Sequence, residues 1–169
     1  MERGKGTVRK VRSDKKVDVK PTMSVELKNQ LYTFSYLCEL PVKDVAERLC
    51  EMATTSEYII EDIRQWFRRE YRFKNHITSG YLERPRLKLI FKGETGKVTI
   101  KFKQEAFDAL SLLAFSLDLP PTTTATVLIK RTLFHREFME QFIHSELRHL
   151  NDQQRNKVKL YLRQIWGFR

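Results

Sequence analysis

Residues 92–121 read KGETGKVTIKFKQEAFDALSLLAFSLDLPP, and this stretch decides the fold that the sequence predicts. The run VTIKF alternates apolar and polar side chains, which is the period of a half-buried β-strand. An apolar stripe at helical spacing follows, formed by Ala106, Leu110, Leu113 and Leu117. Pro120 ends that helix because proline cannot continue the hydrogen-bond ladder. A second helix is predicted after Pro121, with Thr122 as its capping residue.

The first half of this stretch, GETGKVT, superficially resembles a phosphate-binding loop. Such a loop requires a glycine five positions before the Gly-Lys pair and a serine or threonine after it. Those positions hold Phe91 and Val98, so the sequence excludes a nucleotide-binding loop of this kind. The glycines instead predict a tight turn between two alternating runs, LKLIFK and KVTIKF, as in a hairpin or two abutting strands.

The same order of elements occurs earlier in the chain. The two copies are related by a constant shift in residue number, the one that takes Pro41 to Pro120, and this shift is called the repeat offset. The alternating run VDVKPTM (17–23) precedes a stripe formed by Leu27, Leu31, Phe34 and Cys38, with Ser24 as a predicted N-cap. Leu40-Pro41 then ends the helix, and VKDVAERLCEMA predicts a second one. Agreement in apolar phase across strand, helix, turn and helix indicates an internal repeat.

Both copies continue with further helix. In the first copy Thr55-Ser56 is predicted to cap a helix EYIIEDIRQWFRREY, and the matching tract of the second copy is HREFMEQFIHSEL. Asn151 is the predicted cap of a final amphipathic helix, NDQQRNKVKLYLRQIWGFR. By default that helix completes the core, and the alternative is that it joins two modules.

Each copy therefore contains a strand, a helix, a short turn and a second helix in about 45 residues. This arrangement resembles the ribbon-helix-helix family of bacterial and phage DNA-binding proteins. The resemblance covers roughly residues 16–52 and 95–131. It implies a mainly α fold with short β-strands, in which tandem ribbon-helix-helix units pair through an antiparallel two-stranded ribbon, with extra helices outside the units.

The resemblance also implies which residues read DNA. In the family the ribbon enters the major groove, and its outer face contacts base edges. The matching positions here are Asp18, Lys20, Thr22, Lys97, Thr99 and Lys101. The alternate positions should face the helices: Val19, Pro21, Met23, Val98, Ile100 and Phe102. Lysine can donate to guanine, threonine can contact thymine, and aspartate can accept from the cytosine amino group.

The family's second helix directs its N-terminal amides at a DNA phosphate. The matching residues that could bind phosphate are Lys43, Thr122, Thr123 and Thr124, and the basic N-terminal arm adds Arg9, Lys10 and Arg12. The first copy departs from the family pattern, since Asp44 would repel a phosphate and Pro21 removes one ribbon hydrogen bond. The family often has glycine in the turn between the helices, where this chain has Glu39 and Asp118.

The predicted organisation has five parts. They are a basic flexible arm (1–15), a first unit with an extra helix (16–68), a connector (69–96), a second unit with an extra helix (97–148) and a C-terminal amphipathic helix (149–169). A single unit cannot bury its apolar stripe, so the copies must pair, either within one chain or between two chains. Pairing within the chain is preferred, and it would let the ribbon read a site without inverted symmetry.

The composition points to a polyanionic partner. The net charge is +11, which favours nucleic acid, and the sequence shows neither a membrane span nor a secretory signal. Cys38 and Cys50 are predicted to be reduced core residues, and the four histidines form no ligand-spaced cluster. No catalytic set is evident, so the protein is predicted not to be an enzyme and to need no metal, cofactor or small-molecule substrate.

These features predict a cytoplasmic, nucleoid-associated protein that self-associates and binds double-stranded DNA. The expected role is sequence-specific binding as a transcriptional repressor of bacterial, phage or plasmid origin. One alternative is a DNA-architectural accessory in plasmid conjugation, replication or partition. Another, from a different class, is an antitoxin-like protein-interaction module.

Overall fold

The computed structural model describes residues 15–167, which form a mainly helical fold with short antiparallel strand pairs. The strands within that range are Lys16–Val19 (β1), Thr22–Ser24 (β2), Tyr71–Phe73 (β3), His76–Thr78 (β4), Thr95–Lys97 (β5) and Ile100–Lys103 (β6). The helices are Val25–Leu37 (α1), Val42–Ala53 (α2), Glu57–Ile63 (α3), Gln104–Leu117 (α4), Pro121–Leu133 (α5), Arg136–Glu146 (α6) and Asp152–Trp166 (α7).

The helices of the two halves begin at equivalent positions. The repeat offset takes the starts of α1, α2 and α3 onto the starts of α4, α5 and α6, as from Val25 to Gln104. The turns are equivalent as well, because the same offset takes Glu39 to Asp118, and these two have φ angles of 56° and 59°. Few non-glycine residues adopt this left-handed conformation. The internal repeat is therefore present in the backbone as well as in the apolar pattern.

The structure confirms two of the predicted helix caps and corrects two. The hydroxyl of Ser24 accepts from the backbone N–H of Leu27 at 3.1 Å, and Asn151 forms a reciprocal capping box with Gln154. Ser56 precedes α3, but its side chain makes no capping hydrogen bond. Thr122 does not cap α5.

The N-cap position of α5 is Pro120, and Pro121 is its first helical residue. Proline suits that position because its φ is already helical and its missing N–H is not needed there. Thr122 therefore lies inside the first turn rather than ahead of it.

The strands pair between the two halves of the chain. β1 pairs antiparallel with β6, and β2 pairs antiparallel with β5. The hairpin predicted around GETG is wrong, because residues 87–92, which the structure describes, form no strand. The strand that begins within GETG instead pairs with β2, in the first half of the chain. β3 and β4 form a separate short hairpin.

The long helix predicted from Glu57 to Tyr71 is also wrong. α3 ends at Ile63, a 3-10 turn covers Arg64–Trp66, and β3 begins at Tyr71. The backbone N–H groups of Arg68 and Arg69 donate to the carbonyl of Ser116 at the end of α4, at 2.8 and 3.1 Å. The Tyr71 hydroxyl donates to the Thr54 carbonyl at 2.7 Å. These contacts to distant parts of the chain replace the helical hydrogen bonds.

One cluster of buried residues runs through both halves, and α2 packs against α5 at its centre. Within residues 15–167 both cysteine thiols are free and buried, as predicted for core residues. Burial raises the pKa of the Cys38 thiol to about 12, and it also raises the pKa of Cys50. Both thiols therefore act as small apolar groups in the interior.

In the described part of the chain, no single helix has both the length and the apolar character needed to cross a membrane. Together α4 and α5 reach the required length and composition, but the two helices meet at 94°.

Candidate nucleic-acid interface

The ribbon, defined here as residues 16–24 paired with residues 95–103, keeps one register along its length. Asp18 lies opposite Lys101 and Thr22 lies opposite Lys97. The same register places Lys20 opposite Thr99. These two residues are also equivalent in the repeat, since the repeat offset takes one onto the other. The strand register and the repeat offset are therefore both centred on this pair.

Pro21 explains why the ribbon is divided into two short strand pairs. Its carbonyl accepts a hydrogen bond from the backbone N–H of Val98 at 3.2 Å, but proline has no N–H to return. One ladder bond is missing at this point, as the sequence predicts. The register nevertheless continues unchanged on both sides of it.

The two faces of the ribbon differ completely in exposure. The residues predicted to face inward are all buried: Val19, Pro21, Met23, Val98, Ile100 and Phe102. Of the residues predicted to read bases, Thr22 is half-buried and the other five are exposed: Asp18, Lys20, Lys97, Thr99 and Lys101. The predicted alternation is therefore present along both strands.

The exposed face is strongly basic. Across residues 16–24 and 95–103 its charged side chains are Lys16, Asp18, Lys20, Lys97, Lys101 and Lys103. Five ammonium groups against one carboxylate create a positive potential, which attracts a polyanion. Sequence analysis overlooked Lys16 and Lys103, although extending the alternation by one step at each end would have included them.

The N-terminus of α5 lies beside the ribbon. Thr122 and Thr123 line a cleft of about 480 Å³ together with Lys20, Thr22 and Lys97 of the ribbon and with Leu89 and Phe91 of the connector. The structure thus brings residues from both predicted sets, base-reading and phosphate-binding, onto one surface. The first turn of a helix carries a partial positive charge, which favours an anion at this place.

Thr124 is wrongly predicted to bind phosphate through its side chain. The residue is fully buried, and its hydroxyl donates to the Pro120 carbonyl at 3.0 Å. Helix geometry explains this outcome, because three consecutive residues cannot all lie on the exposed side of a first turn. Thr122 is exposed and Thr123 is half-buried, so these two remain available.

The corresponding N-terminus of α2 has a different environment. Lys43 is exposed there, but the half-buried Asp44 lines a cleft of about 970 Å³ at the end of the ribbon that carries Lys16 and Lys103. Five further carboxylates line this cleft, from Glu47, Glu51, Glu105, Asp108 and Glu146, and they outnumber its cations, which are Lys16, Arg48, Lys74 and Lys103. The charge of the carboxylates opposes a phosphate, so the two halves offer unequal sites. The remaining predicted phosphate contacts, Arg9, Lys10 and Arg12, lie outside the described residues.

Two side chains that sequence analysis missed hold the ends of the ribbon. The carboxylate of Glu47, on α2, accepts from the backbone N–H of Lys103 at 2.7 Å. The hydroxyl of Thr126, on α5, donates to the carbonyl of Thr22 at 2.8 Å. Glu47 and Thr126 are equivalent in the repeat, because the repeat offset takes one onto the other. A carboxylate and a hydroxyl have no common sequence signal, so this equivalence becomes visible only in the structure.

A cluster of arginines fixes the connector to the turn between α4 and α5. The carboxylate of Asp118 accepts from Arg68 at 3.0 Å, from Arg69 at 3.1 Å and from Arg86 at 2.9 Å. The hydrogen bond from Arg86 is the largest of the effects that hold the pKa of Asp118 below its ordinary value. Arg68 also donates to the carbonyl of Arg84. The connector is thereby held close to the start of α5.

Among the residues that the structure describes, no three His, Cys, Asp or Glu side chains are grouped closely enough to hold a metal ion. Comparisons with family models, curated proteins and solved structures found no match to this chain.

Proposed function

We propose that this chain is a sequence-specific double-stranded DNA-binding protein of the ribbon-helix-helix type. It inserts the ribbon into the major groove and acts as a transcriptional repressor of bacterial, phage or plasmid origin. The observation that carries the proposal is the single-chain antiparallel pairing of the two repeated strands, with their polar side chains on one exposed, basic face.

The shape of the ribbon supports the proposal. A two-stranded ribbon fits the major groove of B-DNA, which is about 12 Å wide. The buried face of the ribbon rests on the helices, so the backbone is supported from behind. The exposed side chains include ammonium groups that suit guanine O6 and N7 and threonine methyl groups that suit thymine.

The surroundings of the ribbon support phosphate contact on one side. Thr122 and Thr123 lie in the first turn of α5, and they line the same cleft as Lys20 and Lys97. A phosphate at this helix terminus would meet both the partial positive charge of the helix and the hydroxyl groups. Such a contact would fix the depth and direction of the ribbon in the groove.

The asymmetry of the ribbon implies an asymmetric binding site. Around the central pair, Asp18 and Lys101 occupy one side, whereas Thr22 and Lys97 occupy the other. The two half-sites would therefore present different base pairs to the protein. This differs from a homodimer, in which identical strands read an inverted repeat.

Selection of bound duplexes from a random-sequence pool at moderate salt tests the proposal. The wild-type chain should enrich one sequence without inverted symmetry. Replacing Thr99 and Lys101 together by alanine should lower discrimination between that duplex and random DNA, by about 1–3 kcal/mol for each lost base contact. Lys159→Ala, on the exposed surface of α7, is the control and should leave discrimination unchanged.

Two results would count against the proposal in different ways. Binding without any sequence preference would favour a DNA-architectural accessory over a repressor. Unchanged discrimination in the Thr99→Ala/Lys101→Ala variant would show that the selection is made by another surface.

A further inference from the structure

The segment from Leu87 to Lys92, called here the connector arm, lies against the proposed DNA-binding surface. Leu89 and Phe91 line the cleft that also contains Lys20 and Thr122. The arm has no strand partner in the described structure, although its sequence alternates as a strand would. Strand pairing therefore does not hold the arm beside the ribbon.

Contacts at both ends fix the position of the arm. Just before it, Arg86 binds the carboxylate of Asp118 at 2.9 Å, and Leu87 itself is buried. Just after it, the carbonyl of Glu94 accepts from the backbone N–H of Val25 at 2.9 Å. The arm is thus attached to the turn between α4 and α5 on one side and to the start of α1 on the other.

The side chains that the arm exposes are of two kinds. Lys88 and Lys92 are exposed cations, and between them Ile90 and Phe91 are 78% and 40% exposed. Ile90, Phe91 and Lys92 line a second cleft, of about 420 Å³, with Ser24 at the end of the ribbon and Lys130 of α5. Exposed apolar side chains of this size, placed between cations, suit the backbone of a nucleic acid. Its phosphates attract the ammonium groups, and its sugars offer apolar surface.

The repeat offset relates the connector arm to the N-terminal segment at three of its six positions. At the repeat offset, Leu87 corresponds to Val8, Lys88 to Arg9 and Ile90 to Val11. The connector arm therefore occupies, in the sequence of the second half, the place that the basic N-terminal segment occupies in the first. The other three positions differ in type, because Leu89, Phe91 and Lys92 correspond to Lys10, Arg12 and Ser13. The correspondence therefore supports Lys88 and not Lys92.

We propose that residues 87–92 are a second DNA-contacting element, in which Lys88 and Lys92 bind phosphates of the duplex flanking the site read by the ribbon. The contact lies on the side of the ribbon that faces the start of α5. The inference rests on the proposed function, since it extends the same interface. It predicts that the protein covers more of the duplex than the ribbon alone can reach.

The test measures how binding of the selected duplex depends on salt, for the full chain and for Lys88→Ala/Lys92→Ala. Each phosphate contact contributes about 0.9 to the slope of log K against log salt. The double variant should therefore lose about 2 units of slope. Phosphate-ethylation interference should also disappear at one flank only, while the sequence preference is kept.

Lys157→Ala/Lys159→Ala is the matched control, with the same change in net charge. Both lysines are exposed on the half of α7 near Gln154, which bonds Glu39 at the end of α1 away from the ribbon. This control should keep the wild-type slope and interference pattern. If the Lys88→Ala/Lys92→Ala variant also keeps the wild-type slope and interference pattern while the wild type still selects a sequence, the proposal for the connector arm is wrong and the proposed function stands. Absence of any duplex binding by the wild type overturns both proposals.

Discussion

The carboxylate of Glu47 accepts a hydrogen bond of 2.7 Å from the backbone N–H of Lys103, and this bond fastens a helix of the first half to a strand of the second. At the other end of the ribbon the Thr126 hydroxyl donates to the Thr22 carbonyl, and this bond joins a helix of the second half to a strand of the first. Each half therefore holds the strand of the other. The ribbon depends on both halves being folded together.

Glu47→Ala should destabilise the whole protein. Glu47 is only 7% exposed, and its removal leaves the Lys103 N–H without this acceptor. Loss of a hydrogen bond that involves a charged group costs about 1.5–3 kcal/mol. Urea unfolding followed by circular dichroism measures the change.

Glu51→Ala, on the exposed side of the same helix, is the control for helix propensity and charge. It should change the free energy of unfolding by less than about 0.5 kcal/mol. Equal effects of Glu47→Ala and Glu51→Ala would contradict a structural role for the Glu47 bond.

Glycine substitutions at the two left-handed turn residues should have opposite effects. Glu39→Gly relieves the steric cost of the positive φ and removes only an exposed hydrogen bond from Gln154, so we expect a gain in stability of about 0.5–1 kcal/mol. Asp118→Gly relieves the same cost but removes the carboxylate shared by three arginines, so we expect a net loss. Thermal unfolding of both variants gives the comparison, and a gain at both positions would show that the arginine cluster contributes little.

Asp118 should also make stability depend on pH. Its pKa is below the ordinary value in the folded protein, chiefly because of the hydrogen bond from Arg86. The stabilisation is therefore complete above the unfolded-state pKa of about 3.9, and it is lost as the pH falls through the lower folded-state pKa. The difference in unfolding free energy between the wild type and Asp118→Asn should shrink over that acidic range. If the difference in unfolding free energy between the two proteins stays constant from neutral to acidic pH, ionisation of Asp118 does not contribute to stability.

Asp18→Asn should separate specific from general binding. Asp18 is the one carboxylate on the exposed face of the ribbon, and it lies opposite Lys101. Removing its charge should strengthen binding to random duplexes, because the repulsion of phosphates decreases. Discrimination at a single base pair on the Lys101 side should fall by about 1–3 kcal/mol. Fluorescence anisotropy with selected and mismatched duplexes measures both quantities, and unchanged binding to both would place Asp18 outside the interface.

The alternating and helical periods of the sequence predicted the elements that lie within each repeat. The inward and outward faces of both ribbon strands followed from a period of two, and the buried stripes of α1 and α4 followed from helical spacing. The positions of Glu39 and Asp118 in the turns were also visible in the sequence. All of these features depend on residues close together in the chain.

The wrongly predicted hairpin and the wrongly predicted long helix both depend on partners that are far apart in the chain. The run LKLIFK (87–92) has the pattern of a strand. However, β2 pairs with β5, which follows that run in the chain, so residues 87–92 are not part of the ribbon. The helix after Ser56 stops early because Arg68 and Arg69 bind the end of α4. The sequence allowed the two copies to pair either within one chain or between two chains. Periodicity shows which face of an element is buried, but it does not show which element packs against that face.

Because a covalent connection joins the two strands of the ribbon, they do not dissociate on dilution as the strands of a homodimeric ribbon would. Its two strands meet at an effective concentration set by residues 25–94, whatever the amount of protein in the cell. In the proposed DNA complex, a substitution on one side of the central pair Lys20–Thr99 would alter only one end of the bound sequence. The two ends would then be free to evolve separately, each following changes in its own part of the duplex.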